Sequence, residues 1–263
     1  MGSDPSKDLR IVSLAPSATS ILCAVGAKKS VVGVTRWCAD VAPVKGLPQL
    51  GDCWHMDSVD KILKLKPTLV IGSVPYKQET LAKLLEHPLS FLATNPRSLA
   101  DVENDIRVLG RIAGRPAQAE QLIRKIRREF DAIAKKGRTL KKKLRIYCEA
   151  WPNPRISSPP WVAEIVEICG AAMVLPASQR ITDEQVAAAR PDAIVLAWAA
   201  TGSKAKAEKS YQVAAWKNLP AIRNKRVYVV NDELLNTPGP PLLAGAQALL
   251  RIFQKIAAQE NQT

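Results

Sequence analysis

One short unit is written twice in this chain. Residues 61–71 read KILKLKPTLVI and residues 185–195 read QVAAARPDAIV. Each sets apolar residues at helical spacing, then a basic residue, a proline and an aliphatic run, which predicts helix, stop and buried strand. The prolines, Pro67 and Pro191, lie 124 positions apart. The same offset carries Ser58 onto Thr182, both good helix N-caps, and Asp60 onto Glu184, a carboxylate in each first helical turn. Acid at that place is favoured by the helix dipole alone. Matched acids on two halves would also suit two-point docking on a symmetric partner. A second echo returns LRIVSL of 9–14 as LRIYCEA at 144–150. A chain that repeats such a unit is constrained to two similar halves.

Around the repeats, strand alternates with helix. Strands are predicted at 9–14, 30–36, 68–72, 91–95, 144–150, 193–197 and in KRVYVVN, with helices over SILCAVGA, 58–66, TLAKLLEH, LADVENDIRVLGRIAG, 161–170 and 240–258. That order argues α/β architecture with parallel sheets. Residues 116–136 form the longest uninterrupted helical pattern, with Pro116 in its first turn and Gly137 at its stop. The expected organisation is an N-terminal α/β lobe at 9–115, a bridging helix at 116–136 and a C-terminal α/β lobe at 141–263.

The net charge of +14 raises the question of a nucleic acid or an anionic surface. Much of that charge sits in RKIRREF and KKGRTLKKKLR, between residues 124 and 145, where the simplest reading is the solvated face and end of a helix. No nucleic-acid signature accompanies it. The five cysteines are odd in number and widely spaced, which predicts reduced, mostly buried thiols. Only Cys38 and Cys53 fall in loop-like context. No apolar run reaches the ~20 residues of a membrane span. The opening MGSDPSKDLRIVSL has no signal-peptide pattern, so the chain as written is expected in the cytoplasm.

Ligands of open α/β sheets bind outside the carboxyl ends of the strands. Five of the six tryptophans fall there: Trp37, Trp54, Trp151, Trp161 and Trp198, with Tyr76 after strand 68–72. Any one tryptophan is most simply a packing residue; five in such loops point to a large, flat, partly apolar ligand. Trp216 is assigned to packing. Arginines are few in these loops, Arg36, Arg97 and Arg155 being the exceptions. Catalytic signatures are absent: no GxGxxG, Walker loop, HExxH or GxSxG. Cys38, Cys53 and His55 could form a soft metal site of an intracellular corrinoid- or metal-handling enzyme, or His55 could serve as an axial ligand. The residues read as those of a binder rather than an enzyme.

RIVSLAPSATSIL, VVGVT, VDKILKLKPTLVIGS, NPRSLADVENDIRVLG and AAWKNLPAIRNKRVYVVND, in that order, resemble the helical-backbone (class III) substrate-binding proteins of ABC importers. The likeness runs from about Leu9 to Ala257. It implies two Rossmann-like lobes with parallel sheets joined by one long backbone helix that permits little hinge motion. Within the family the chain is most similar to members that bind vitamin B12 (cobalamin), whose aromatic after the second strand falls on Trp37 and whose next segment resembles DCWHMDSVDKIL. The resemblance implies a monomeric, non-catalytic receptor that holds a corrinoid in the inter-lobe cleft, with haem or a ferric siderophore as the alternative ligand. It makes nucleic acid an unexpected partner. The family's two docking carboxylates, which meet arginines of the membrane permease dimer, fall on Asp60 and Glu184. A periplasmic or cell-surface location is implied if a signal has been removed. The chain departs from the family at Ser20, where Glu is frequent, and near Ser73, where cobalamin binders carry an aromatic and Tyr76 is the substitute.

Overall fold

The computed structural model describes residues 9–56 and 58–260, which divide into two units. The first comprises the residues up to Pro96 and Ala100–Lys125; the second comprises Arg97–Leu99 and the residues from Ile126 onward. In the first, strands β1 (Ile11–Ser13), β2 (Val31–Thr35), β3 (Gln49–Leu50), β4 (Leu69–Ser73) and β5 (Phe91–Thr94) pair in the order β3-β2-β1-β4-β5, all parallel. Helices α1 (Pro16–Ala24), α2 (Val59–Leu63) and α3 (Gln78–Leu85) lie between strands, and α4 (Leu99–Ile112) follows β5. β1 and β4 bury Ile11, Val12, Val70 and Ile71 completely, which explains why these strands read as unbroken aliphatic runs.

Helix α5 (Pro116–Gly137) is assigned to the first unit through Lys125 and to the second from Ile126. Its buried positions, Ala119, Ile123, Ile126 and Ile133, recur at helical spacing, and its lysines and arginines are exposed. Its last residue must be glycine for a packing reason: a Cβ at Gly137 would stand 2.6 Å from the Cys169 carbonyl carbon. Gly170, facing it, has φ +83°.

The second unit contains β6 (Arg145–Pro152), β7 (Arg155–Ser157), β8 (Ala172–Met173), β9 (Ala193–Leu196) and β10 (Val227–Val229). The order is β10-β9-β6, with β8 parallel to the first residues of β6 and β7 antiparallel to its last. Helices α6 (Pro160–Ile168), α7 (Asp183–Ala189), α8 (Glu208–Tyr211), α9 (Pro220–Arg223), α10 (Glu233–Asn236) and α11 (Leu242–Glu260) complete it. The antiparallel β7 adds a hairpin to an otherwise parallel sheet and takes the place of part of the loop expected after Trp151. Asn153 and Pro154 make a tight turn between paired Pro152 and Arg155, folding the strand back on itself. Among the described residues no helix is long and apolar enough to cross a membrane.

The repeat is a repeat of structure. Lys66 and Arg190, each just before its proline, both take the left-handed conformation, with φ 45° and 44°. Arg10 Nη2 donates to the Leu65 carbonyl at 2.7 Å, and Arg145 Nη2 donates to the Ala189 carbonyl at 2.7 Å. These arginines, from the two LRI strands, satisfy carbonyls left open where each repeat helix stops. The Arg10 backbone N–H donates to Thr68 Oγ1 and that of Arg145 to Asp192 Oδ2, each at 2.9 Å. Helices α1 and α6 both open with proline and both stop at a left-handed glycine, Gly26 and Gly170.

Candidate functional site

In the N-terminal lobe, a short 3-10 turn, Arg36–Asp40, follows β2 directly. Cys38 anchors it. Its sulfur lies 3.0 Å from Thr19 Oγ1 and 3.2 Å from Thr35 Oγ1, and burial pushes the thiol up. Held in this way, the turn leaves Trp37 half-buried and Arg36 exposed, with the guanidinium 4.1 Å from the indole centroid. A second cysteine holds the next loop. Cys53 is buried where Gly72 of β4 leaves room; a Cβ on that glycine would stand 2.5 Å from Cys53 Sγ. The Cys53 carbonyl accepts from the Lys77 N–H at 2.9 Å. Asp52 Oδ1 accepts from the backbone N–H groups of Trp54 and His55 at 2.9 and 2.7 Å, forming a turn that projects Trp54, 48% exposed. His55 is exposed and meets Trp54 edge-on, with ring centroids 6.5 Å apart.

These positions correct the metal-site expectation. Cys38 and Cys53 are buried anchors, and burial raises the Cys53 thiol to about 12. Among the described residues no three His, Cys, Asp or Glu side chains gather as a metal site. Tyr76 is half-buried, and its hydroxyl lies 2.7 Å from the Thr94 carbonyl and 3.2 Å from that of Gly72. Burial raises its phenol.

In the C-terminal lobe Trp151, 41% exposed, stands at the end of β6, its indole N–H donating 2.9 Å to the Asn153 carbonyl of the turn. Trp161 and Trp198 do not join it. Each is only 5% exposed; Trp161 donates to the Leu235 carbonyl and Trp198 to Glu149 Oε1, both at 2.8 Å. They are packing residues of the lobe, a correction to their expected place on a ligand surface. Trp216 is fully buried, as its helical context predicts.

The centre of this lobe is a charged cluster that sequence reasoning missed. Glu149 is fully buried; Oε2 accepts from Tyr147 Oη at 2.9 Å and Arg155 Nη1 at 2.8 Å. Arg155 Nε also donates to Asp183 Oδ1 at 2.6 Å, and its guanidinium lies 4.2 Å from the Trp216 centroid. Trp216 in turn donates to the Asp183 carbonyl at 3.0 Å. Desolvation pushes the Glu149 carboxyl up, opposed by Arg155 and by the Tyr147 and Trp198 donors. The one legible signal was Glu149 itself, an acid inside an otherwise apolar strand.

Asp60 and Glu184 are both exposed in the first turns of α2 and α7. Ser58 accepts from the Asp60 N–H, and Thr182 forms a reciprocal capping box with Gln185. First-turn hydrogen bonding, from the Glu184 backbone and then from Thr182, lowers the Glu184 carboxyl.

Two parallel-sheet α/β lobes with aromatic side chains exposed after strand ends define a binding protein of the two-lobed kind. The chain belongs to the periplasmic binding protein family, whose model matches residues 11–234. It is 29% identical over 252 residues to an uncharacterized ABC transporter substrate-binding lipoprotein, YvrC, of Bacillus subtilis, covering 91% of this chain and 78% of that protein. It is 26% identical to a vitamin B12-binding protein of Vibrio parahaemolyticus, over 94% of this chain and 90% of the relative. The periplasmic heme-binding protein RhuT of Roseiflexus shares the fold, with TM-score 0.80 at 24% identity, over 95% of this chain and 99% of that one.

Proposed function

We propose that this protein is the substrate-binding component of an ABC importer and that its ligand is a corrinoid of the cobalamin type. The observation that carries this reading is the exposure of Trp54 and Trp151, one in each lobe, the first in a loop beyond a strand and the second at the carboxyl end of β6. Large aromatic residues left in water on such surfaces suit burial of a ring ligand's faces and edges. The relative named as a vitamin B12-binding protein supports the corrinoid. Asp60 and Glu184, matched by the repeat and both exposed, are the carboxylates that would meet basic residues of a permease. Family membership favours work in the periplasm or at the cell surface over the cytoplasm.

Haem is the second reading, favoured by the exposure of His55 beside Trp54. Tyr76 is a poorer axial candidate, because its hydroxyl is engaged and its ionisation opposed by burial. An anionic siderophore is the least supported, since Arg155 is already neutralised by Glu149 and Asp183. Titration with cyanocobalamin, haemin and a ferric hydroxamate, followed by tryptophan fluorescence and visible absorption, tests the choice. Saturable one-to-one quenching by cyanocobalamin at micromolar affinity or tighter, about −8 kcal/mol, is expected. A Soret shift with haemin and silence with cyanocobalamin would replace the corrinoid by haem.

A further inference from the structure

Arg36 is the first residue beyond β2, on the side of the sheet where ligands of open α/β folds gather. It is exposed, and its guanidinium carbon lies 4.1 Å from the Trp37 centroid, well inside cation–π range. Among the described residues it has no carboxylate partner: Asp40, four residues on, makes no ion pair with it, and Asp52 is turned to the Trp54 and His55 N–H groups. The stack has a consequence for Trp37. One face of that half-buried ring is covered by Arg36, so a ligand arriving there meets the guanidinium rather than bare indole. A guanidinium held over the ring offers a planar fork of N–H donors that matches a carboxylate or phosphate, and the contact reduces the conformational freedom lost on binding.

We propose that Arg36 determines specificity on the N-terminal lobe by reading an anionic group at the rim of a flat ring ligand, with Trp37 as the residue that positions it. This rests on the reading of the strand-end surface as the ligand surface. The shared chemistry is an oxyanion, supplied by the phosphodiester of a complete cobalamin or by the propionates of a porphyrin.

The test measures affinities of the wild-type chain, Arg36→Gln and Arg36→Lys for two matched pairs. One pair is cyanocobalamin and dicyanocobinamide, which lacks the phosphodiester; the other is haemin and its dimethyl ester, which lacks free carboxylates. In whichever pair the wild type binds, Arg36→Gln is expected to weaken the anionic member by about 10-fold or more and the neutral member by less than about 2-fold. Arg36→Lys keeps the charge without the fork and should fall between. Trp37→Leu should shift the same member in the same direction as Arg36→Gln. Thermal melting of each variant separates a folding defect from a binding one. Equal losses for both members of a pair, or no loss for either, would overturn the proposal while leaving a tetrapyrrole receptor in place. If the wild type binds none of the four, the ligand class fails and this proposal with it.

Discussion

Each lobe places one arginine over a tryptophan ring, and the two pairs have opposite surroundings. Arg155 over Trp216 is mostly covered in the C-terminal lobe, where Glu149 and Asp183 both take its N–H groups. Arg36 on Trp37 lies open, with a similar ring distance and, among the described residues, no carboxylate partner. The distance to the ring is nearly the same; the neutralisation is not. A fully buried carboxylate must be paired to remain buried, so Glu149 holds Arg155, and through Asp183 ties a hairpin to a helix. An exposed guanidinium can remain unpaired in water, which leaves its donors for a ligand.

Breaking the buried pair should have the largest effect. Glu149→Ala leaves Arg155 with a single acid and strips Tyr147 and Trp198 of their acceptor, at a cost of about 3–5 kcal/mol in urea unfolding. Arg36→Gln, by contrast, should change stability by no more than about 0.5 kcal/mol. A mild Glu149→Ala would mean that the cluster is not what fixes the hairpin.

A carboxylate in the other lobe sharpens the contrast. Asp105 is half-buried near Asp101 rather than beside a cation; burial first, and then Asp101, raises it to about 6 from 3.8. The native state therefore holds this proton more tightly than the unfolded chain does. Its contribution to stability is present below about pH 4 and is lost as pH rises through about 6. Asp105→Asn should add about 1 kcal/mol at pH 7.5, after allowance for solvent screening, and flatten the pH dependence between 4 and 6. Unchanged pH dependence in urea titrations would reject the shift.

The smallest effect compares the two caps. Thr182→Ala removes a reciprocal capping box and should cost about 1 kcal/mol, while Ser58→Ala removes one acceptor and should cost about half of that. Equal losses, measured by thermal unfolding, would show that the reciprocal bond adds nothing.

Much of the scaffold was legible because it is periodic. The helix–proline–strand unit, the long helix ending at Gly137, the exposed first-turn acids and the buried Trp216 all follow from local pattern. The β6–β7 hairpin was not legible, since two prolines around Asn153 read as loop until Arg155 pairs back on Pro152. Nor was the sorting of the tryptophans. Position after a strand marks the end of the sheet, but whether an indole faces water or the lobe depends on partners far along the chain. Trp161 finds its acceptor 74 residues away and Trp198 finds Glu149 at a separation of 49.

The sequence by itself determined two α/β halves built on one unit, because hydrophobic period, caps and proline stops act over a few residues. Tertiary structure alone decided that Cys38 and Cys53 are anchors, that Trp54 and Trp151 stand in water while Trp161 and Trp198 do not, and that Arg155 is neutralised while Arg36 is not. Burial and charge pairing are set by what the fold brings alongside a side chain, and no local pattern in the chain records that neighbour.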